Sequence, residues 1–272
     1  MLQQISKIST SQLFNYSLHL ADNSLIMGHR LSEWTGHGPI LEQDIAVSNI
    51  ALDLIGQSRN FYQYAAQIIN SPKAPSSKGE EVGGEATEDS LAYLRDAKEF
   101  KNILLAELPN GDWAKTILRL FFFSTYQYYL YQKLINSSDK QLSAIAEKSL
   151  KEVTYHLRWS SEWVIRLGDG TEESYKRIQK ALEELWSYTA EMFFATTYEI
   201  ECAKNSIGVD VSSIEIHWTR KINEILKEAT LIPPPPGEVR RGLGKEGNHT
   251  EYLQEILNDM QYLQRTYPGC EW

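Results

Sequence analysis

Residues 41–69, LEQDIAVSNIALDLIGQSRNFYQYAAQII, decide the fold. Leu41, Ile45, Leu52, Ile55, Tyr62, Ala66 and Ile69 fall on one stripe at helical spacing, and Val47, Ala51, Leu54, Phe61, Ala65 and Ile68 on a second. A helix apolar on two sides belongs inside a protein, so a central helix covered on most sides is predicted. Between the stripes Asn49, Asp53, Gln57 and Asn60 form a polar ridge along one line of that helix.

Working outward, nearly every long segment repeats its apolar residues at spacings of three and four, and no run alternates as a half-buried strand does. The fold class predicted is all-α, with helices over 11–33, 41–69, 89–107, 112–136, 139–167, 172–205, 212–229 and 250–266. Asp112, Asp139 and Thr171 stand where N-caps are needed, and Ser212…Glu215 and Asn248…Glu251 have capping-box spacing. Two segments break the pattern. Residues 70–88, rich in Pro, Gly, Ser and charge, read as an exposed loop, and residues 232–248, with four prolines at 233–236, as a loop that wraps over the helices.

At 272 residues with no shift in composition, one domain spanning 1–272 is expected. The net charge of -9 opposes affinity for nucleic acid or anionic lipid. Cys202 and Cys270 belong to no ligand or C-x-x-C pattern, and the N-terminal residues lack the signature of a secretory leader, so a cytoplasmic protein with free thiols is expected. The apolar stretch 117–135 is interrupted by Arg119, Ser124, Gln127, Gln132 and Lys133, which marks a buried soluble helix rather than a membrane span.

His156 sits on the apolar face of its helix, with Glu152 four residues earlier as a hydrogen-bond partner within reach, and reads as a core histidine before it reads as a metal ligand. The ridge Asn49/Asp53/Gln57 reads as a buried polar network that fixes helix pairing, a substrate-contacting surface or the remnant of a polar centre being the other readings. Asp53 alone of the three titrates, and the sequence offers it no evident acid-base partner. Gly242 to Gly247 matches G-x-G-x-x-G without a preceding strand, which disfavours a dinucleotide site. Arg240, Arg241 and Lys245 form a basic island on a solvated loop, open to a carboxylate surface or coenzyme phosphates. The aromatic run Phe121-Phe122-Phe123…Tyr126…Tyr128-Tyr129…Tyr131 is either core or partly a contact with another chain.

Ala21-Asp22-Asn23-Ser24-Leu25, Arg30 to Pro39, Asn49 to Asn60, Leu108-Pro109-Asn110-Gly111, Lys151-Glu152…Tyr155-His156-Leu157-Arg158, His249-Thr250-Glu251 and Met260 to Arg265 form a colinear series over nearly the whole chain. It resembles the family of non-catalytic C subunits of the ring 1,2-phenylacetyl-CoA epoxidases (phenylacetate-CoA oxygenases), in the ferritin-like superfamily. The resemblance implies a ferritin-like four-helix bundle with additional helices. It implies a structural subunit, pairing with and stabilising a homologous di-iron catalytic subunit in aerobic phenylacetate catabolism. No cofactor is implied in this chain; iron sits in the partner, and NADPH, FAD and an iron–sulfur centre serve the partner reductase. Di-iron bundles of this kind need Glu-x-x-His on two helices and a single carboxylate on each of two others. Laid on the catalytic relative, those positions fall at Leu54/Gln57, Val153/His156, Leu25 and Ser124, a degenerate set. The rival reading is an enzyme acting alone, a cryptic metal-binding oxygenase or a hydrolase using Asp53, Glu152 and His156.

Overall fold

The computed structural model describes residues 9–71, 85–235 and 244–270. Among them are ten α-helices and no strand: α1 (Thr10–Ser32), α2 (Leu41–Ile69), α3 (Glu88–Tyr93), α4 (Leu104–Glu107), α5 (Trp113–Leu134), α6 (Lys140–Gly168), α7 (Glu172–Trp186), α8 (Thr197–Lys204), α9 (Ser212–Glu228) and α10 (Glu251–Thr266). Residues 72–84 and 236–243, which hold much of the two predicted loops together with Arg240, Arg241 and Gly242, lie outside the described residues.

Side-chain contacts fix how the four long helices run. Thr35–Ser48 and Tyr62–Asp22 bonds make α1 and α2 antiparallel, Ser24–Gln127 and Trp34–Thr116 do the same for α1 and α5, and His156–Asp53 and Gln57–Glu152 for α6 and α2. The short turn between α5 and α6, where Ser143 Oγ donates to Ile135 O, closes the ring. It follows that α2 and α5 are parallel, so the chain between them must travel back along the bundle. One long crossover in a four-helix bundle is the ferritin-like arrangement.

The helix that is central is α1 and not α2. From Tyr16 to Leu31 only His29 is half-exposed, and α1 packs most extensively on α2 and then on α8 and α4. One predicted stripe of α2 is instead largely turned outward, with Leu41, Ile45, Leu52 and Ile69 exposed, while the Val47/Leu54/Phe61 stripe is buried. Two apolar stripes predict two covered sides, but among the described residues only one of them is covered along its whole length, the other being buried only at Tyr62 and Ala66.

The predicted helix 89–107 is three pieces: α3, a 3-10 turn at Ala97–Glu99, and α4. Propensity loses here to α1. Asp22 Oδ2 accepts from Lys101 N (2.7 Å), Asn23 Oδ1 from Ile103 N (2.8 Å) and Glu191 Oε2 from Leu104 N (2.7 Å), so these donors serve side chains instead of a helical ladder. The predicted helix 172–205 is likewise broken, by a 3-10 turn at Thr189–Phe193 and a new start at Thr196, whose hydroxyl and Glu199 form a capping box. The T-x-x-E signature at 196–199 is present in the sequence but is masked by the long periodic run around it. Asp112, Asp139 and Thr171 cap as expected, whereas neither Ser212 nor Asn248 does; Asp210 accepts from Ser212 N, and the Thr250 amide donates to Glu107.

Arg119 explains the turn into α5. Its fully buried guanidinium donates to Leu108 O and Asn110 Oδ1, while Asn110 Nδ2 reaches Glu33 Oε2 (2.8 Å) and Thr116 Oγ1 donates to Asn110 O (3.1 Å). Burial, with Arg30 nearby, pushes Arg119 down to about 9. Gly111 follows at φ +64, a left-handed conformation that favours glycine.

On the other side of α1, Arg95 pairs with the fully buried Asp22, which also accepts from the Tyr62 hydroxyl. Removing only the cation strands a buried carboxylate. Arg95→Met is therefore expected to lower the unfolding free energy by about 3–5 kcal/mol, read from urea denaturation followed by circular dichroism.

Candidate functional site

The α2/α6 seam is held by polar rungs. Trp163 Nε1 donates to Gln43 Oε1 (2.9 Å), His156 Nε2 lies 2.9 Å from Asp53 Oδ2, and Gln57 Nε2 donates to Glu152 Oε2 (2.9 Å). Asp53, without an evident partner in the sequence, thus has His156. Glu152 does not pair with His156 along the helix but reaches across to Gln57. Asn49 is exposed, so it belongs to no buried network, and of the three ridge residues only Gln57 is buried.

Inward of the seam the bundle centre is apolar on one side and amide-rich on the other. Leu25, Leu54 and Val153 are buried in the hydrophobic core. The Tyr131 hydroxyl donates to Gln57 Oε1 (3.4 Å), and Gln127 Nε2 bridges Tyr131 Oη (3.2 Å) and Ser24 Oγ (3.3 Å). Burial pushes the Tyr131 phenol far above its ordinary range, so it stays a neutral donor. Sequence reasoning misses Ser24, Gln127 and Tyr131 as members of this centre. For Gln127 and Tyr131 on α5 the signal is polar residues spaced by three and four from Ser124 within the aromatic run, which in sequence looks the same as mere interruption of an apolar stretch.

The arrangement of His156 is that of a metal-binding imidazole in one respect: one ring nitrogen is held by a carboxylate while the other, Nδ1, is buried with no protein hydrogen-bond partner. The remaining donors do not suit iron. Ser124 Oγ and Gln127 Oε1 are neutral, Leu25, Leu54 and Val153 offer nothing, and Glu152 is engaged at the seam. A di-iron centre needs four carboxylates and two imidazoles converging from four helices. Among the described residues, no three His, Cys, Asp or Glu side chains gather closely enough to hold a metal ion. The residues present do not fit the group.

Comparison with known proteins gives the family. The family described as phenylacetic acid catabolic protein matches residues 2–272. The chain belongs to that family. It is 44% identical over 262 residues to the C subunit of the 1,2-phenylacetyl-CoA epoxidase of Escherichia coli (strain K12), a match covering 96% of this chain and 100% of that relative.

Other features of this family member fall away from the site. Lys245, expected on a solvated basic island, is fully buried: its ammonium donates to Glu199 Oε1 (2.9 Å), Met192 O (3.1 Å) and Phe194 O (3.0 Å). Burial alone would raise the Glu199 carboxyl, but the Lys245 ammonium and the hydrogen bond from the Thr196 amide outweigh it and hold Glu199 below the ordinary range. The end of the G-x-G-x-x-G match is therefore an anchor, a 3-10 turn at Gly244–Glu246 whose first amide donates to Glu191 Oε1 (2.8 Å). In the aromatic run Phe121, Phe122, Phe123, Tyr126 and Tyr131 are core, and only Tyr128 and Tyr129 reach the surface in part. Cys202 and Cys270 are free, and no helix among the described residues is long and apolar enough to cross a membrane.

His19 stands 3.6 Å from Glu199 yet forms no ion pair at neutral pH, because burial outweighs the carboxylate and pushes the imidazole down to about 4. The unfolded chain, with an ordinary histidine at 6.5, binds more protons than the native one between these values, so stability falls as pH falls through that window. Urea midpoints between pH 8 and pH 5 should drop, with on the order of 2 kcal/mol due to His19. His19→Gln should flatten that slope.

Proposed function

We propose that the chain is the non-catalytic, structural subunit of a multicomponent phenylacetyl-CoA 1,2-epoxidase, pairing with a homologous di-iron catalytic subunit in aerobic phenylacetate catabolism. The single observation that carries this reading is the donor set at the bundle centre, where Leu25, Leu54, Gln57, Ser124, Val153 and His156 stand at the positions that the resemblance assigns to iron ligands. A centre filled by aliphatic packing and a neutral Gln57–Tyr131–Gln127–Ser24 chain supports the fold and supplies no anionic ligand to iron. In this reading iron belongs to the partner, and NADPH, FAD and the iron–sulfur centre to the reductase. The Escherichia coli relative is itself a subunit of an epoxidase, which agrees with it.

Against an enzyme acting alone, the trio Asp53, Glu152 and His156 is divided into two separate cross-helix pairs. Among the described residues, neither pair brings a hydroxyl or thiol nucleophile into hydrogen-bond reach of the imidazole.

The isolated protein, produced in iron-rich medium, should hold far less than one iron per chain by atomic emission spectrometry. Stoichiometric iron that is lost in His156→Ala would reverse the reading. In the assembled complex His156→Ala should leave turnover per folded complex within a few-fold of the parent while lowering stability by about 1–3 kcal/mol, from the cavity and the unpaired Asp53. Parallel turnover assays and thermal melts separate the two effects.

A further inference from the structure

The N-terminal part of the outward stripe of α2, Leu41, Ile45 and Leu52, is left uncovered by the described residues. Leu41 is 72% exposed, Ile45 50% and Leu52 65%, and with Gly56 they fall within an arc of about 60° over four turns of helix. Single exposed aliphatics are ordinary; an aligned row on a long, otherwise well-packed helix is a contact surface.

Gly56 says how close the contact is. Glycine is the poorest helix former after proline, and in mid-helix it is kept where another backbone approaches. Gly28 on α1 obeys this rule, since a Cβ there would lie 3.1 Å from Ile55 Cγ1 and 3.2 Å from Ala51 O. At Gly56 an added Cβ would meet nothing within 4 Å. Among the described residues nothing requires glycine at that position, which leaves room there for a close approach by another chain.

Charge selects the occupant. Beside the row stand Asp53 and Glu152, paired with His156 and the Gln57 amide, and among the described residues neither meets a lysine or arginine. Along α2, Glu42, Asp44 and Asp53 are balanced by Arg59 alone. A second copy, meeting this face by two-fold symmetry, would bring to Asp53 and Glu152 a helix with three acids and one arginine, itself paired with Glu88. A different chain bearing a basic residue would set opposite charge there instead.

Resting on the function proposed above, we infer that the Leu41/Ile45/Leu52/Gly56 face of α2 docks an α-helix of the catalytic subunit. That helix lays an aliphatic ridge across Gly56 and sets a lysine or arginine against Asp53.

The test uses the full chain and the homologous catalytic subunit of the proposed complex, produced separately and titrated by calorimetry, with masses from light scattering. Gly56→Leu and Leu52→Glu should each weaken association at least 100-fold. Gly56→Leu alone should melt at or above the parent's temperature, because leucine is the better helix former and has open space to occupy. Parent-like affinity in both variants would overturn the docking face while leaving the proposed function standing. A parent chain that fails to bind the catalytic subunit at all would overturn both. Concentration-dependent self-association of the isolated chain, abolished by the same two substitutions, would assign the face to a second copy and overturn the inference.

Discussion

A helix enclosed on every side cannot leave a polar group unpaired, and α1 carries His19, Asp22, Asn23 and Arg30 within its enclosed length. Each is answered by a segment from elsewhere in the chain. His19 Nδ1 bonds Lys101 O (2.7 Å), Asp22 takes Arg95 and the Lys101 amide, Asn23 takes the Ile103 amide, and Arg30 Nε donates to Glu107 O (3.0 Å). The crossover from α2 to α5 is thus stitched to α1 one side chain at a time, which is why it travels as short turns instead of a helix. Glu107, held in place this way, then accepts from the Thr250 amide (2.7 Å) and from His249 Nδ1 (2.7 Å), and so fixes the start of α10. Burial alone would lower the His249 imidazole, but its bonds to Glu107 outweigh this and raise it.

The long helices are legible in the sequence because their apolar period is strong, and α2 occupies the residues that period predicts, 41–69. What the period cannot state is which chain covers a given stripe. Leu52 and Leu54 are alike in character, yet one faces outward and the other is core. The break at 94–103 is illegible for a related reason: its cause is Asp22 and Asn23, about eighty positions away in sequence, and local propensity contains no trace of them.

At the bundle centre the resemblance places Leu54 and Val153 where a di-iron site needs acids, and the structure buries both in the hydrophobic core. The pairings are not legible. Asp53 and Gln57 share a ridge and so resemble members of one network, but each bonds across the seam to α6, where helices running in opposite directions bring residues 53 and 156, and 57 and 152, level with one another. Lys245 defeats sequence reasoning because a lysine among glycines and an arginine pair is usually solvated. Only the fold reveals the waiting carboxylate of Glu199 and the two carbonyls of Met192 and Phe194.

The enclosure of α1 also sets the order in which a newly made chain can mature. Synthesis delivers α1 before the groups that satisfy it, which arrive between residues 95 and 107, and well before Tyr252, whose carbonyl accepts from Arg30 Nη2 (3.4 Å). Until then an apolar helix bearing an acid, an amide and a guanidinium has no stable place to rest. At translation speeds of about 5–20 residues per second this wait lasts on the order of ten seconds or more. The nascent α1–α2 hairpin therefore carries polar groups whose partners are made only later, so α1 is completed by segments far along the chain rather than by its neighbour in sequence.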